Sequence, residues 1–165
     1  TISEDVREMA LEMMASSIDN PIQLNADSWR IVARNGRPEA LYQRAVDVME
    51  QVCHEQSEST AFSATLGAAY YRVERFDDAE RTLLAAREDE DLALMVTALI
   101  ALTKHASGKI DESRTKWTSL PEMLDAYERE QGRLSGADQA LLNEALNLFP
   151  QQNDKHPDTA DAPNH

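Results

Sequence analysis

Few residues in this chain have the types and spacing that chemistry needs. Cys53 stands beside His54, the combination from which a thiolate–imidazole nucleophile is built. Adjacent residues on a helix point about 100° apart and do not face each other. The pair therefore reads as a small buried thiol next to an independent imidazole. The histidines His54, His105, His156 and His165 form no His-Glu-x-x-His and no other dense ligand spacing. Asp154-Lys155-His156-Pro157-Asp158 with Asp161 carries possible ligands, but its composition is that of a solvated acidic tail. The densest charge run, Glu88-Asp89-Glu90-Asp91, supplies helix-start acids. It also offers a contact for an ion or a basic peptide, without the glycine and terminal glutamate of a calcium loop. No Gly-x-Gly, Gly-Lys-Ser/Thr or Gly-x-Ser-x-Gly occurs, so phosphate loops and nucleophile elbows are absent. The expectation is a chain that is not an enzyme and carries no cofactor or metal.

What, then, positions residues here? The 165 residues suit one domain, and 42% hydrophobic residues suffice for a packed core. Lys plus Arg total 16 against 30 Asp plus Glu, a formal charge of −14. That balance argues against a nucleic-acid backbone and an anionic membrane as partners. The longest nearly apolar run, Leu92 to Leu102, falls short of the roughly 20 residues of a membrane span. One cysteine excludes an intrachain disulfide framework. With no export signal in view, the cytoplasm is the expected compartment. The chain opens on Thr1 rather than Met, which suggests a piece of something longer.

Ala, Leu, Glu, Met and Arg dominate, and apolar residues recur at helical spacing. Ser3 begins a helix over 3–18 with the stripe Val6, Met9, Ala10, Met13, Met14, ended by Asn20-Pro21. Ser119-Leu120-Pro121-Glu122 combines a helix break, a helix start and a capping-box acid. Ser135-Gly136-Ala137-Asp138 starts a last helix with Ala140, Leu141, Ala145, Leu146 and Phe149, stopped by Pro150. The expected organisation is one helical domain over 1–149 and a polar tail over 150–165.

The chain also repeats itself at a period of about 34 residues. The middle copy reads Leu66-Gly67-x-x-Tyr70, then Phe76, Ala79, Leu83 and Ala86. One period on come Ile100-Ala101, Ile110, Ser113, Trp117 and Leu120. One period back come Val32-Ala33, Tyr42, Ala45, Met49 and Val52, with Trp29 and Gly36 flanking the first pair. Large residues recur at one phase and small ones at another, as stacked helix pairs sharing one core require.

These residues resemble the tetratricopeptide repeat (TPR) family, with units at about 26–59, 60–93 and 94–127. The middle unit is the best match, although Ser63 stands where the family favours Trp and Asp91 where it favours Pro. The first unit has Gly36, and the third Lys104, where the first-helix aromatic belongs, and Pro121 cuts the third unit short. Leu24-Asn25-x-x-Ser28-Trp29, Arg37-Pro38 to Tyr42, Thr65-Leu66-Gly67 and Asp91-Leu92-Ala93 further resemble TPR segments of large bacterial multidomain kinases and WD-repeat proteins. The resemblance implies an all-α fold, a right-handed α-α superhelix of three helix hairpins with capping helices at both ends.

It also implies a non-catalytic protein–protein interaction module that binds a peptide or protein segment in a concave groove. In that register the groove is lined by Arg30, Arg34 and Arg37, by Ala61, Ala64, Ala68 and Tyr71, and by Met95, Ala98, Leu102 and His105. The expected binding residues are Arg30, Arg34, Tyr71, Met95, Leu102 and His105. The arginines suit an acidic peptide or a C-terminal carboxylate, or else pair locally with Asp27 or Glu39. The apolar remainder suits a partner segment, or else the chain's own Leu141, Leu142, Leu146 and Phe149. A chaperone-like carrier covering an apolar segment of a client is the alternative function. The partner's identity and the oligomeric state are left open.

Overall fold

A computed structural model of the chain describes residues 20–149, which are helices and their connections. The expected helix over 3–18 and the polar tail over 150–165 lie outside the described residues. The first described helix, α1 (Pro21–Val32), begins where an end was expected, ahead of the boundary near residue 26. Asn20 accepts a hydrogen bond from the Gln23 amide at 3.1 Å, and Pro21 takes the first helical turn. Proline is well suited there, because its missing N–H would have had no intrahelical partner.

After α1 come α2 (Glu39–Glu55), α3 (Thr60–Arg72) and α4 (Phe76–Ala86). A 3-10 turn, Glu90–Leu92, leads into α5 (Ala93–Ala106). The rest is α6 (Ile110–Trp117), α7 (Leu120–Gln131) and α8 (Gly136–Leu146). Helices α1/α2, α3/α4 and α5/α6 pack in pairs, α2 meets α3 and α4 meets α5, and α1, α3 and α5 touch side by side. Pro121 does separate α6 from α7. The expected capping box does not form there, because the Ser119 hydroxyl donates back to the Lys116 carbonyl instead. No helix among the described residues is long and apolar enough to cross a membrane.

The sequence period reappears in the backbone. At the end of α3 the Arg75 amide donates to the Tyr70 carbonyl at 2.9 Å and the Glu74 amide to Tyr71 at 3.2 Å. At the end of α5 the Lys109 amide donates to Lys104 at 2.8 Å and the Gly108 amide to His105 at 3.1 Å. These are the same helix-ending motif, whose turn residue must take a positive φ. Glu74 takes it at 60° and Gly108 at 80°. Between α1 and α2 the link differs. There Tyr42 clasps the chain, donating its hydroxyl to the Arg34 carbonyl and accepting from the Arg37 amide.

The small residues of the repeat sit at the tightest helix contacts. A Cβ on Gly67 would lie 2.6 Å from Leu83 Cγ, so α3 and α4 meet at a distance only glycine permits. One unit on, the Ser113 hydroxyl donates to the Ala101 carbonyl at 2.7 Å, tying α6 to α5. Tyr42, Ala45, Met49, Val52, Ala79, Leu83, Ala86, Ser113 and Leu120 are all buried.

The departures from the repeat are compensated locally. Tyr70 donates its hydroxyl to Glu50 on α2 at 2.8 Å. Lys104, at the same phase, is buried and bonds Glu80 of α4 at 2.7 Å and Glu112 at 2.6 Å. Both residues reach the second helix of the preceding pair, one by an aromatic and one by an ammonium. Hydrogen bonds from Lys104 and Lys109 hold the Glu80 carboxyl below its ordinary value of 4.5. An acid depressed by folding adds stability that is complete above its unfolded value and is lost as the pH falls through the folded one. Glu80→Gln is therefore expected to lower the urea midpoint at neutral pH. The gap to the native chain should close in acid, and a gap that persists there would place the effect in packing rather than charge.

Candidate functional site

The face made by α1, α3 and α5 is the one expected to bind. Much of it is covered by α8, which packs on α5 and bonds to α1 and α3 as well. Leu141, Leu142 and Ala145 are fully buried. The Trp117 indole donates to the Leu146 carbonyl at 3.1 Å, and beyond α8 the Phe149 ring stands edge-on to Trp117 and His105. On α3, Arg72 makes a two-pronged bond to Glu144 of α8 at 2.8 and 2.7 Å and donates its Nε to the Val32 carbonyl. The Tyr71 hydroxyl donates to the same carboxylate at 3.0 Å. Burial and the neighbouring Glu144 push the Tyr71 phenol far up, so it stays a donor. An apolar stripe needs cover, and α8 supplies from within the chain what a partner would otherwise bring.

α8 does not close the whole face. Between α1, α3, the start of α5 and the α7–α8 connection lies a cavity of about 240 Å³. Asn25 and Trp29 form one wall, and Ala61, Ala64 and Thr65 form its floor. Asp91, Leu92, Leu94 and Met95 form another wall, and Tyr127, Leu134 and Asp138 close it from the C-terminal side. The two alanines make the room. The Trp29 indole is held by a 2.7 Å bond to Asp138, which also sits in the cap of α8 through Ser135. A second cleft, about 230 Å³, lies on the other side of Tyr71 and Arg72, lined also by Asn35, Gly36 and Phe76.

The six expected residues separate into three groups. Met95 lines the cavity. Tyr71 and His105 contact α8 and Phe149, and Leu102 is buried in the core. Arg30 is exposed and pairs with Asp27 at 2.7 Å, the local alternative, while Arg34 is exposed with its guanidinium beside Gly136. Neither arginine is among the residues lining the cavity. Tyr127, Leu134 and Asp138 are not among the expected residues, because they belong to the C-terminal segment read only as a cap. Ser135-Gly136-Ala137-Asp138 had already signalled a helix start, but nothing local ties Asp138 to Trp29.

The remaining chemical candidates resolve into local roles. Cys53 is half-buried against the core, and burial pushes its thiol up to about 11, away from the thiolate a nucleophile needs. His54 is exposed. Asp89 caps the 3-10 turn and accepts a bond from the Thr60 hydroxyl, whereas Asp91 is an exposed carboxylate on the cavity wall. Among the described residues no three His, Cys, Asp or Glu side chains cluster as metal ligands would. Compared with protein-family models, with curated proteins and with solved structures, the chain matches none.

Proposed function

We propose that this chain is a non-catalytic interaction module of TPR type, which binds a segment of another protein over the α1/α3/α5 face where α8 leaves it open. The observation that carries this reading is the cavity whose walls come from three successive helix pairs and the C-terminal helices together. A right-handed superhelix is part of the same proposal, supported by the recurrence of the α3 and α5 turn bonds at matching phase. The charge of −14 favours a protein partner over a nucleic acid. The carrier alternative has less support, because the apolar surface a client would take is occupied by Leu141 and Leu142.

The test is selection from a displayed library of random peptides on the native chain, repeated on Ala61→Leu. Ala61 is only partly buried, so leucine there fills the cavity without entering the core. Binders that recognise the native chain and fail on Ala61→Leu are expected, with both proteins melting at the same temperature. If every selected peptide is indifferent to Ala61→Leu, the cavity is not the binding site and the reading falls.

A further inference from the structure

The chemistry of the cavity says what kind of side chain it takes. Two of its hydrogen-bond donors are spent, the Trp29 indole N–H on Asp138 and the Thr65 hydroxyl on the Ala61 carbonyl. The Asp91 carboxylate on its wall is exposed and makes no side-chain hydrogen bond or ion pair among the described residues. No Lys, Arg or His lines the cavity, so nothing in its walls neutralises Asp91 and Asp138. The remaining wall is apolar and aromatic, including Trp29 and Tyr127, surfaces that attract a cation and accommodate its hydrocarbon stem.

We infer that the cavity is the anchor site for a lysine or arginine side chain of the partner segment, its stem on Ala61, Ala64 and Met95 and its charged head beside Asp91. This inference rests on the segment-binding reading above and specifies its anchor. It reverses the charge expected from Arg30 and Arg34. Those residues lie outside the cavity, and the potential of a chain at −14 draws in a basic segment and repels an acidic one.

The experiment uses the two tryptophans as separate reporters. The indole N–H resonances of Trp29 and Trp117 are followed by NMR on the full chain. It is titrated with acetyl-Gly-Lys-Gly-amide and with the same peptide carrying norleucine, which keeps the stem and removes the charge. A saturable shift of Trp29, with Trp117 unmoved, is expected for the lysine peptide. The norleucine peptide should bind about fivefold more weakly, a difference that Asp91→Asn and added salt both shrink. Asp91 is exposed, so its substitution leaves the fold intact as judged by Trp117. Equal binding of the two peptides overturns the cationic anchor and leaves the segment-binding reading standing. No shift of Trp29 with either peptide also overturns the anchor, and the library selection against Ala61→Leu then decides the broader reading by itself.

Discussion

Glu144→Ala is expected to lower the unfolding free energy by about 3–5 kcal/mol, the range for breaking a buried ion pair on one side. The Arg72 side chain is 6% exposed and that of Glu144 16%, so the guanidinium left behind cannot recover its lost partner from water. The Tyr71 hydroxyl would lose its acceptor in the same step. Chemical denaturation monitored by circular dichroism measures the loss. The double variant Arg72→Met/Glu144→Leu supplies the control, because removing both charges together removes the uncompensated one. It should recover most of the stability. If it is as unstable as Glu144→Ala, the cost lies in the shape of the α3–α8 contact and not in the stranded charge. α8 is therefore held to the body of the protein by a polar lock as well as by its leucines.

Leu83→Ala should cost about 2–5 kcal/mol, since Leu83 is fully buried in the contact between α3 and α4. Gly67→Ala should cost about 1–3 kcal/mol by overpacking, as the new methyl would meet Leu83 Cγ and Cδ2 at 2.6 and 2.7 Å. The atoms responsible are the ones that Leu83→Ala removes. In the double variant the two losses should not add, because the alanine methyl at 67 enters the space the leucine vacated. Urea denaturation of the four proteins gives the coupling directly. Additive losses would mean that Gly67 is not set by the approach of Leu83, and the register of α3 on α4 would have to be revised.

The two effects differ in how far the sequence announces them. Gly67 and Leu83 stand out as a small and a large residue at fixed phases that recur as Ala33 and Met49, then as Ala101 and Trp117. The helix pairs could be read because their packing repeats within a short stretch of chain and involves residues three or four apart on one face. Boundaries were less legible. Asn20-Pro21 suits the end of one helix and the start of the next alike, and α1 uses it as a start.

The α8 stripe of Leu141, Leu142 and Ala145 declared that the last helix would be buried, without declaring against what. Apolar burial has no direction, so a stripe specifies an amount of cover and not its partner. The choice of the α1/α3/α5 face depends on pairings such as Arg72 with Glu144 and Trp29 with Asp138, the latter 109 residues apart. In a chain with 30 acids, no spacing rule selects those two carboxylates. Local periodicity and composition suffice for the all-helical character of the described residues, the periodic pairing and the excess of negative charge. Helix packing settles that α8 covers much of the expected groove, that Arg30 pairs with Asp27, and that Asp91 stands on the wall of a cavity whose lining holds no cationic side chain. Those outcomes depend on distances between groups far apart in the chain, which hydrogen bonds and ion pairs select only once the helices have packed.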